Sequence, residues 1–327
     1  MKKNVVVIGG GTGTIPVLTG LKQFKNLNLS VIVSMTDDGG SNAVIRDEFG
    51  LLPLSDLRKS IIALSKGHTE FLRDIFTYRF SKGNGLEGHT LGNLILMGLA
   101  DITGSEEGAV RAVSEMFHLS GKVIPVTFGK TALRASYSDG SVIEGEHLID
   151  EPEKIAKNVL IKKLSLTKKV QANPKAVQAI LDADVLIAGP GDLYTSTLAN
   201  IVIPGIANAI QKSKAKFVFI SNLMTKHGQT DGFAASDFVR VVGEYAGRNP
   251  DVVIVHKGKV DEKIIKKYRV RGEKLVIDDT EKLAVKVIKK DVVFSKEWKR
   301  ESSDRLVRSL LRHDANKLAK VLKNIIG

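Results

Sequence analysis

The sequence predicts an α/β protein: a Rossmann-like three-layer fold with a mainly parallel sheet and a small antiparallel excursion. Three observations carry this. Short apolar runs without alternation recur at Val5–Ile8, Ser30–Met35, Ala183–Ala188, Lys216–Ile220 and Val252–Val255, as expected of parallel strands covered on both faces. Helical patterns separate them. A glycine-bearing polar loop follows several of them, where open α/β sheets bind ligands.

The first unit runs from Val5 to Asp38. Gly9, Gly10, Gly11 and Gly13 follow the first strand at once. Glycines let the backbone turn sharply and bring its amides close to a ligand. Pro16 fits a first helical turn, so a helix is expected to open at Thr14 to Pro16. Its start, aimed past the end of a strand, suits a phosphate. The candidate contacts here are Gly10, Gly11, Thr12 and Gly13.

The second strand ends in Asp37 and Asp38, followed by Gly39, Gly40, Ser41 and Asn42. Three roles stay open for the two carboxylates: ligation of Mg²⁺ beside a phosphate, a bond to a ribose hydroxyl in the dinucleotide manner, or bonds to turn amides. In a G-x-G-x-x-G pattern the third glycine falls at Thr14 counted from Gly9, and at Pro16 counted from Gly11. That mismatch weakens a nicotinamide-dinucleotide reading.

Arg46, Asp47, Leu51 and Leu52 continue the loop to Ser55, read as the N-cap of a helix over 56–64. A second helix is expected over 70–80. Arg58, Arg73 and Arg79 are left to face solvent or a phosphate. The stretch Gly83 to Gly92 then places four glycines and His89 before an apolar helix. His89 and Asn93 share a face if that helix starts early, and both are candidate ligand contacts. No second histidine is near in sequence, which argues against a metal at His89.

A helix near 106–118 precedes a change of period. Segments 122–127, 132–138 and 142–145 read as strands, with Ser138-Asp139-Gly140 as a hairpin turn. Together they form the antiparallel excursion, 121–166. Asn173-Pro174 opens the next helix, to Leu181. The second glycine site follows: Gly189, Gly191, Tyr194 and Thr195, with Thr195 and Ser196 capping a helix. Pro204 divides the helical region after it. A third polar loop runs from Ser221 to Gly232 and supplies Asn222 and Thr225.

Beyond the core, strands are expected at 274–277 and 292–294 around a basic helix over 281–288. Leu306 and Val307 then lead to Asp314, read as the N-cap of a last helix whose lysines 317, 320 and 323 are solvated.

Composition bounds the function. The chain of 327 residues has no cysteine, which excludes disulfides, zinc–thiolate sites, iron–sulfur clusters and cysteine nucleophiles. The N-terminal apolar run breaks into glycines after four residues, unlike a leader or a span. No window holds about eighteen uninterrupted apolar residues, and a cytoplasmic protein with no membrane span is expected. The net charge of +13 is concentrated at the C-terminal end: residues 256–327 hold 21 Lys/Arg against 11 Asp/Glu. Only Tyr268, Phe294 and Trp298 are aromatic there, so a nucleic-acid partner is disfavoured and the surplus is read as a solvated surface.

The motifs GGGTG at 9–13, DDGGS at 37–41, GNGLEGHTLGNL at 83–94, GPGDLYTS at 189–196, NLMTKHGQTDG at 222–232 and RHD at 312–314 together resemble the YvcK branch of the CofD-like family, the gluconeogenesis factors. The resemblance spans essentially the whole chain. It implies one CofD-like domain, with 1–120 and 167–255 as a nucleotide-binding core and the basic part, 256–327, packed on it. It also implies a cytoplasmic protein that binds a UDP-sugar such as UDP-N-acetylglucosamine and supports cell shape during gluconeogenic growth. The related CofD branch implies an alternative, a Mg²⁺-dependent transferase that moves 2-phospholactate from a nucleoside-diphosphate-linked donor. A nicotinamide-dependent oxidoreductase is the third reading. Turnover and assembly into a homo-oligomer are left open. The chain departs from the branch over Ser41–Glu48 and Leu52–Arg58. It also carries Asp192 where the branch has Ser, a charge that either repels a pyrophosphate or attracts it through a cation.

Overall fold

The computed structural model describes residues 1–38, 53–66, 70–152, 155, 159–294 and 310–327. The side chains of Glu70, Leu72 and Arg73 lie outside that description, as do Gly39–Asn42, Arg46, Asp47, Leu51, Leu52, Trp298, Leu306 and Val307.

A seven-stranded parallel sheet forms the centre. Its strands are β1 (Lys3–Ile8), β2 (Leu27–Val33), β3 (Gly121–Pro125), β7 (Val185–Ala188), β8 (Lys216–Ile220), β9 (Val252–His256) and β10 (Lys286–Lys290). Their spatial order is β10-β9-β8-β7-β1-β2-β3. Val5, Val7, Ile8, Val31, Ile32 and Ile187 are fully buried, which explains the unbroken apolar runs. From β1 the chain first builds outward through β2 to β3, then returns beside β1 with β7 and builds the other way. β1 therefore pairs with both β2 and β7, in register Val7↔Val31 and Val7↔Ile187. The order reverses at this point, and the loops after β1, β2, β7 and β8 open there on one edge of the sheet.

The helices follow from local signals. α1 (Ile15–Leu21) starts with Pro16 in its first turn. α2 (Ser55–Leu64), α3 (Glu70–Thr77), α4 (Leu91–Thr103) and α5 (Glu106–Met116) lie between β2 and β3. Thr90 and Ser105 cap α4 and α5 by accepting from the amides of Asn93 and Gly108. Helix α4 thus begins after His89, so His89 and Asn93 belong to loop and helix respectively.

The antiparallel excursion is smaller than the sequence suggests. It comprises β4 (Leu133–Tyr137), β5 (Val142–Glu144) and β6 (Ile161–Leu166), in order β5-β4-β6. Segment 122–127, read as part of it, instead supplies β3 and pairs parallel with β2. Short apolar strands look alike in sequence whichever sheet they join. The predicted hairpin turn is present: Gly140 has φ +89° and Asp139 accepts from the Ser141 amide at 2.9 Å. A short helix, α6 (Glu146–Asp150), follows β5.

α7 (Pro174–Leu181) is capped by Asn173. After β7 the chain makes a π-turn over Leu193–Thr197 with Asp192 at its N-cap position, leaving Thr195 and Ser196 inside the turn rather than capping it. α8 (Leu198–Ile201) and α9 (Ile206–Lys212) follow on either side of Pro204. α10 (Ala235–Ala246) leads into β9, and α11 (Glu262–Arg269) has no counterpart in the sequence reading. The basic helix expected over 281–288 is absent: a 3₁₀ turn at Thr280–Lys282 leads into β10, the edge strand beside β9. Its lysines suited a helix by propensity, but the edge of the sheet claims them. Segments 274–277 and 292–294 make isolated bridges only.

α12 (Ala315–Ile326) is capped by Asp314, which accepts from the Lys317 amide at 2.9 Å. It packs on α1 at Gly20, where an added Cβ would lie 2.5 Å from the Ala315 carbonyl oxygen. Lys317 is not simply solvated: its ammonium donates to Asp291 at 2.6 Å and to the Val293 carbonyl at 2.8 Å. Lys289 likewise pairs with Asp278 at 2.7 Å. Among the described residues, no single helix is long and apolar enough to cross a membrane.

Candidate functional site

A cavity of about 1020 Å³ opens at the carboxyl edge of the sheet, where the strand order reverses. Its lining draws on every loop just described. Gly11, Thr12 and Gly13 come from the β1 loop, Asp37 from the β2 loop, His89 and Asn93 from the start of α4, Gly191 from the β7 loop, and Asn222 and Thr225 from the β8 loop.

The two glycine loops touch. A Cβ at Gly13 would lie 2.5 Å from the Pro190 carbonyl oxygen and 2.8 Å from the Gly191 Cα, so no other residue allows this approach. The Asn222 side-chain amide donates to the Gly191 carbonyl at 2.8 Å and ties the third loop to the second. Inside the first loop, the Thr14 hydroxyl donates to the Gly10 carbonyl at 2.9 Å.

Other candidates lie behind this surface. Gly10 makes room for the Asp56 carboxylate, which any Cβ there would strike. Gly189 turns the chain with φ +72° after β7. Tyr194 is 2% exposed and its hydroxyl points to the Ile161 carbonyl at 3.4 Å, within the core. Thr195 is also buried and donates to Asp150 Oδ1 at 2.8 Å. It acts on the site through that carboxylate.

The aspartate pair is divided. Asp37 faces the cavity, whereas Asp38 accepts from the His147 amide at 2.9 Å and packs against Gly145. Alternate residues of an extended segment point to opposite sides, so two adjacent carboxylates do not converge on one ion here. Among the described residues, no three His, Asp or Glu side chains gather closely enough to hold a metal. A Mg²⁺ held by Asp37 and Asp38 together therefore does not fit, and Asp37 alone of the pair remains in a position to meet one.

The strongest electrostatic feature lies elsewhere. Lys226 of the β8 loop donates to Asp150 Oδ1 at 2.5 Å and to Asp192 Oδ2 at 2.9 Å. Burial alone would lower its pKa, but Asp192 and Asp150 outweigh that and raise it. Burial pushes the Asp150 carboxyl up, yet Lys226 and the hydrogen bonds from Lys226, Thr195 and Gln229 leave it below its ordinary value. Asp192 is raised, because burial and neighbouring Asp150 exceed the pull of Lys226. One ammonium cannot compensate two carboxylates equally. Glu146, one turn from Asp150 on α6, is held well above the usual carboxylate range by burial and by Asp37, Asp150 and Asp56. Burial lifts Glu273 to about 7. The charge of Asp192 is thus only partly compensated by Lys226 within the protein. Arg58, Arg79, Arg271 and Arg312 line other parts of the cavity.

Glu146, Asp150 and Lys226 are not singled out by the sequence. Lys226 lies within a quoted motif, and Glu146 and Asp150 are four apart, but only the folded chain brings α6 from the small sheet against the β8 loop. The reverse holds for Asp38, Gly189 and Tyr194, which sequence position suggests and orientation removes from the cavity.

A doubly wound parallel sheet with a polar crevice at its switch point defines a Rossmann-like α/β protein. The family model described as 2-phospho-L-lactate transferase CofD matches residues 5–293. A gluconeogenesis factor of Halalkalibacterium halodurans is 39% identical over 268 residues, covering 82% of this chain and 81% of that one. A gluconeogenesis factor of Listeria innocua is 40% identical over 248 residues, covering 76% and 75%. A crystal structure of a Bacillus halodurans protein superposes with a TM-score of 0.89 at 36% identity, covering 99% and 100% of the two chains. A second crystal structure, of a UPF0052 family member from Bacillus halodurans, gives 0.88 at 35% identity, covering 99% of each. The chain belongs to the CofD family, in its YvcK or gluconeogenesis-factor branch.

Proposed function

We propose that the chain binds a nucleoside-diphosphate sugar of the UDP-sugar class in this crevice, and that the complex supports cell shape and the supply of wall precursors during gluconeogenic growth. The observation that carries the reading is the contact of the Gly11–Gly13 and Pro190–Gly191 loops at the cavity surface. Bare backbone from two strand ends suits a pyrophosphate, which needs amide donors and no intruding side chains. The carboxylates around Lys226 suit sugar hydroxyls, which donate to such groups. The names of the relatives, gluconeogenesis factors, support the link to gluconeogenic growth.

A phosphodiester transfer of the CofD kind is the second reading, favoured by the family description that matches residues 5–293. It requires an acceptor pocket and a cation, and the division of Asp37 from Asp38 counts against the latter. A nicotinamide cofactor is the weakest reading, for want of the third glycine.

Isothermal titration of UDP-N-acetylglucosamine with and without Mg²⁺ tests these readings. Saturable binding independent of Mg²⁺, with no product after long incubation, is the expected result. Failure of any uridine nucleotide to bind rejects the proposal. Mg²⁺-dependent consumption of the donor establishes the transferase instead.

A further inference from the structure

We propose that Glu146 holds the diphosphate of the ligand as a neutral acid: its carboxyl keeps its proton and donates it in a hydrogen bond to a phosphate oxygen. This deepens the nucleotide-sugar reading given above and rests on it.

Glu146 opens α6 and lines the cavity. Charged groups reach it from four elements: Asp37 from the β2 loop, Asp56 from α2, Asp150 one turn along α6, and Lys226 from the β8 loop. The cations beside it are already engaged. Lys59 pairs with Asp56 at 2.9 Å, and Lys226 is shared between Asp150 and Asp192. Glu146 itself makes no side-chain hydrogen bond and no ion pair among the described residues. Its oxygens are not sealed in either. Neither belongs to the buried polar atoms left without a partner, so both meet the open space of the cavity.

Crowding decides the charge of this group. Burial and the three aspartates oppose ionisation, and Lys226 offsets only part of that. An ionised Glu146 would find no donor in the protein and would set a negative charge against an anionic ligand. The neutral acid removes the repulsion and supplies a donor, which is what a phosphate oxygen requires, since it only accepts. A carboxylic acid kept neutral by its surroundings serves as such a donor at neutral pH. Its place fits the role. Asp56 fills the space left by Gly10, and Asp192, joined to Asp150 through Lys226, follows Gly191. Glu146 therefore stands beside both glycine loops, where the diphosphate is placed.

The test titrates UDP-N-acetylglucosamine, with a chelator present, into the wild-type chain, Glu146→Gln and Glu146→Ala from about pH 6 to about pH 9. The diphosphate of this probe keeps its charge over that range. At about pH 6, Glu146→Gln should bind within about threefold of the wild type, because an amide also donates, and Glu146→Ala about tenfold or more weakly. As pH rises the wild type should lose affinity relative to Glu146→Gln, approaching about tenfold per pH unit once the acid ionises. Taking that ratio cancels Glu273, which lines the same cavity and is raised to about 7, and the ionisation of the uracil ring. Equal weakening of Glu146→Gln and Glu146→Ala overturns the inference, because an ionised carboxylate then acts at this position. A ratio that stays constant with pH overturns it too, as does wild-type affinity in Glu146→Ala. In each of these cases binding by the wild type keeps the nucleotide reading intact. Absence of wild-type binding at every pH rejects that reading and the inference with it. If Glu146→Ala does not fold, the comparison of the wild type with Glu146→Gln still decides.

Discussion

Lys226 is the residue on which the charge of the crevice depends. Its two partners come from different parts of the chain, Asp150 from α6 and Asp192 from the β7 loop. Removing the ammonium leaves two crowded carboxylates facing each other and Glu146. Breaking a fully buried pair costs about 3–5 kcal/mol. Here the side chains keep 22%, 24% and 43% of their surface, so water in the cavity screens the loss. Lys226→Met should therefore destabilise the chain by about 1–3 kcal/mol, read as a lower urea midpoint at neutral pH. An unchanged midpoint would show that the pair contributes only to the ligand site. The site was partly legible at this scale. Gly11, Thr12, Gly13, Asp37, His89, Asn93, Gly191, Asn222 and Thr225 are read from sequence and meet at one cavity. Tyr194 belongs to the same set of candidates, yet it is buried within the π-helical turn over Leu193–Thr197.

Among the elements, α12 shows what a local signal determines. Asp314 was readable as a cap because a short acceptor preceding an apolar 3.6-residue stripe satisfies amides that the helix leaves open. Asp314→Ala should cost about 1 kcal/mol, measured as a shift in urea midpoint, and Asp314→Asn should restore most of it. Because α12 packs on α1 at Gly20, loss of the cap also loosens the helix that follows the glycine loop. Segment 281–288 shows the opposite case. Its alternation of Lys with Val and Ile suits an edge strand, and helix propensity alone misplaces it. Nothing local says that Val287 will lie opposite Val253. The same holds for β3, whose partner β2 is about ninety residues earlier in the chain.

For the whole molecule, the pH dependence of stability follows from the groups that folding buries. His313 has an ordinary pKa of 6.5 and is held to about 3 in the fold. Between those values the unfolded chain binds the proton and the folded chain does not, so stability falls as pH drops through this window. Glu273 works the other way: raised from 4.5 to about 7 by burial, it binds the proton in the folded chain first, and its contribution to stability falls as pH rises between those values. Comparing wild type with His313→Asn cancels the Glu273 part. From pH 6.5 to 5.0 the wild type should lose about 1.5 kcal/mol more than the variant, measured by urea unfolding at both pH values. An equal loss would show that the histidine takes up its proton in the folded state. At this scale, whereas Ser55, Thr195 and Ser196, read as caps, lie inside their helical turns, the amino-acid sequence by itself determined the parallel α/β class, the family, the glycine turns and the cap at Asp314. These follow from short-range chemistry: apolar runs that must be covered on both faces, backbone conformations open to glycine, and side chains that satisfy amides a few residues away. Only the tertiary structure decided which loops share the crevice, that Asp37 and Asp38 part, that Lys226 joins Asp150 to Asp192, and that His313 is buried with its ring bonded to the Ser221 backbone. Each of these depends on groups brought together across long stretches of chain, and burial then sets their charge. Neither effect leaves a mark on the local pattern of residues.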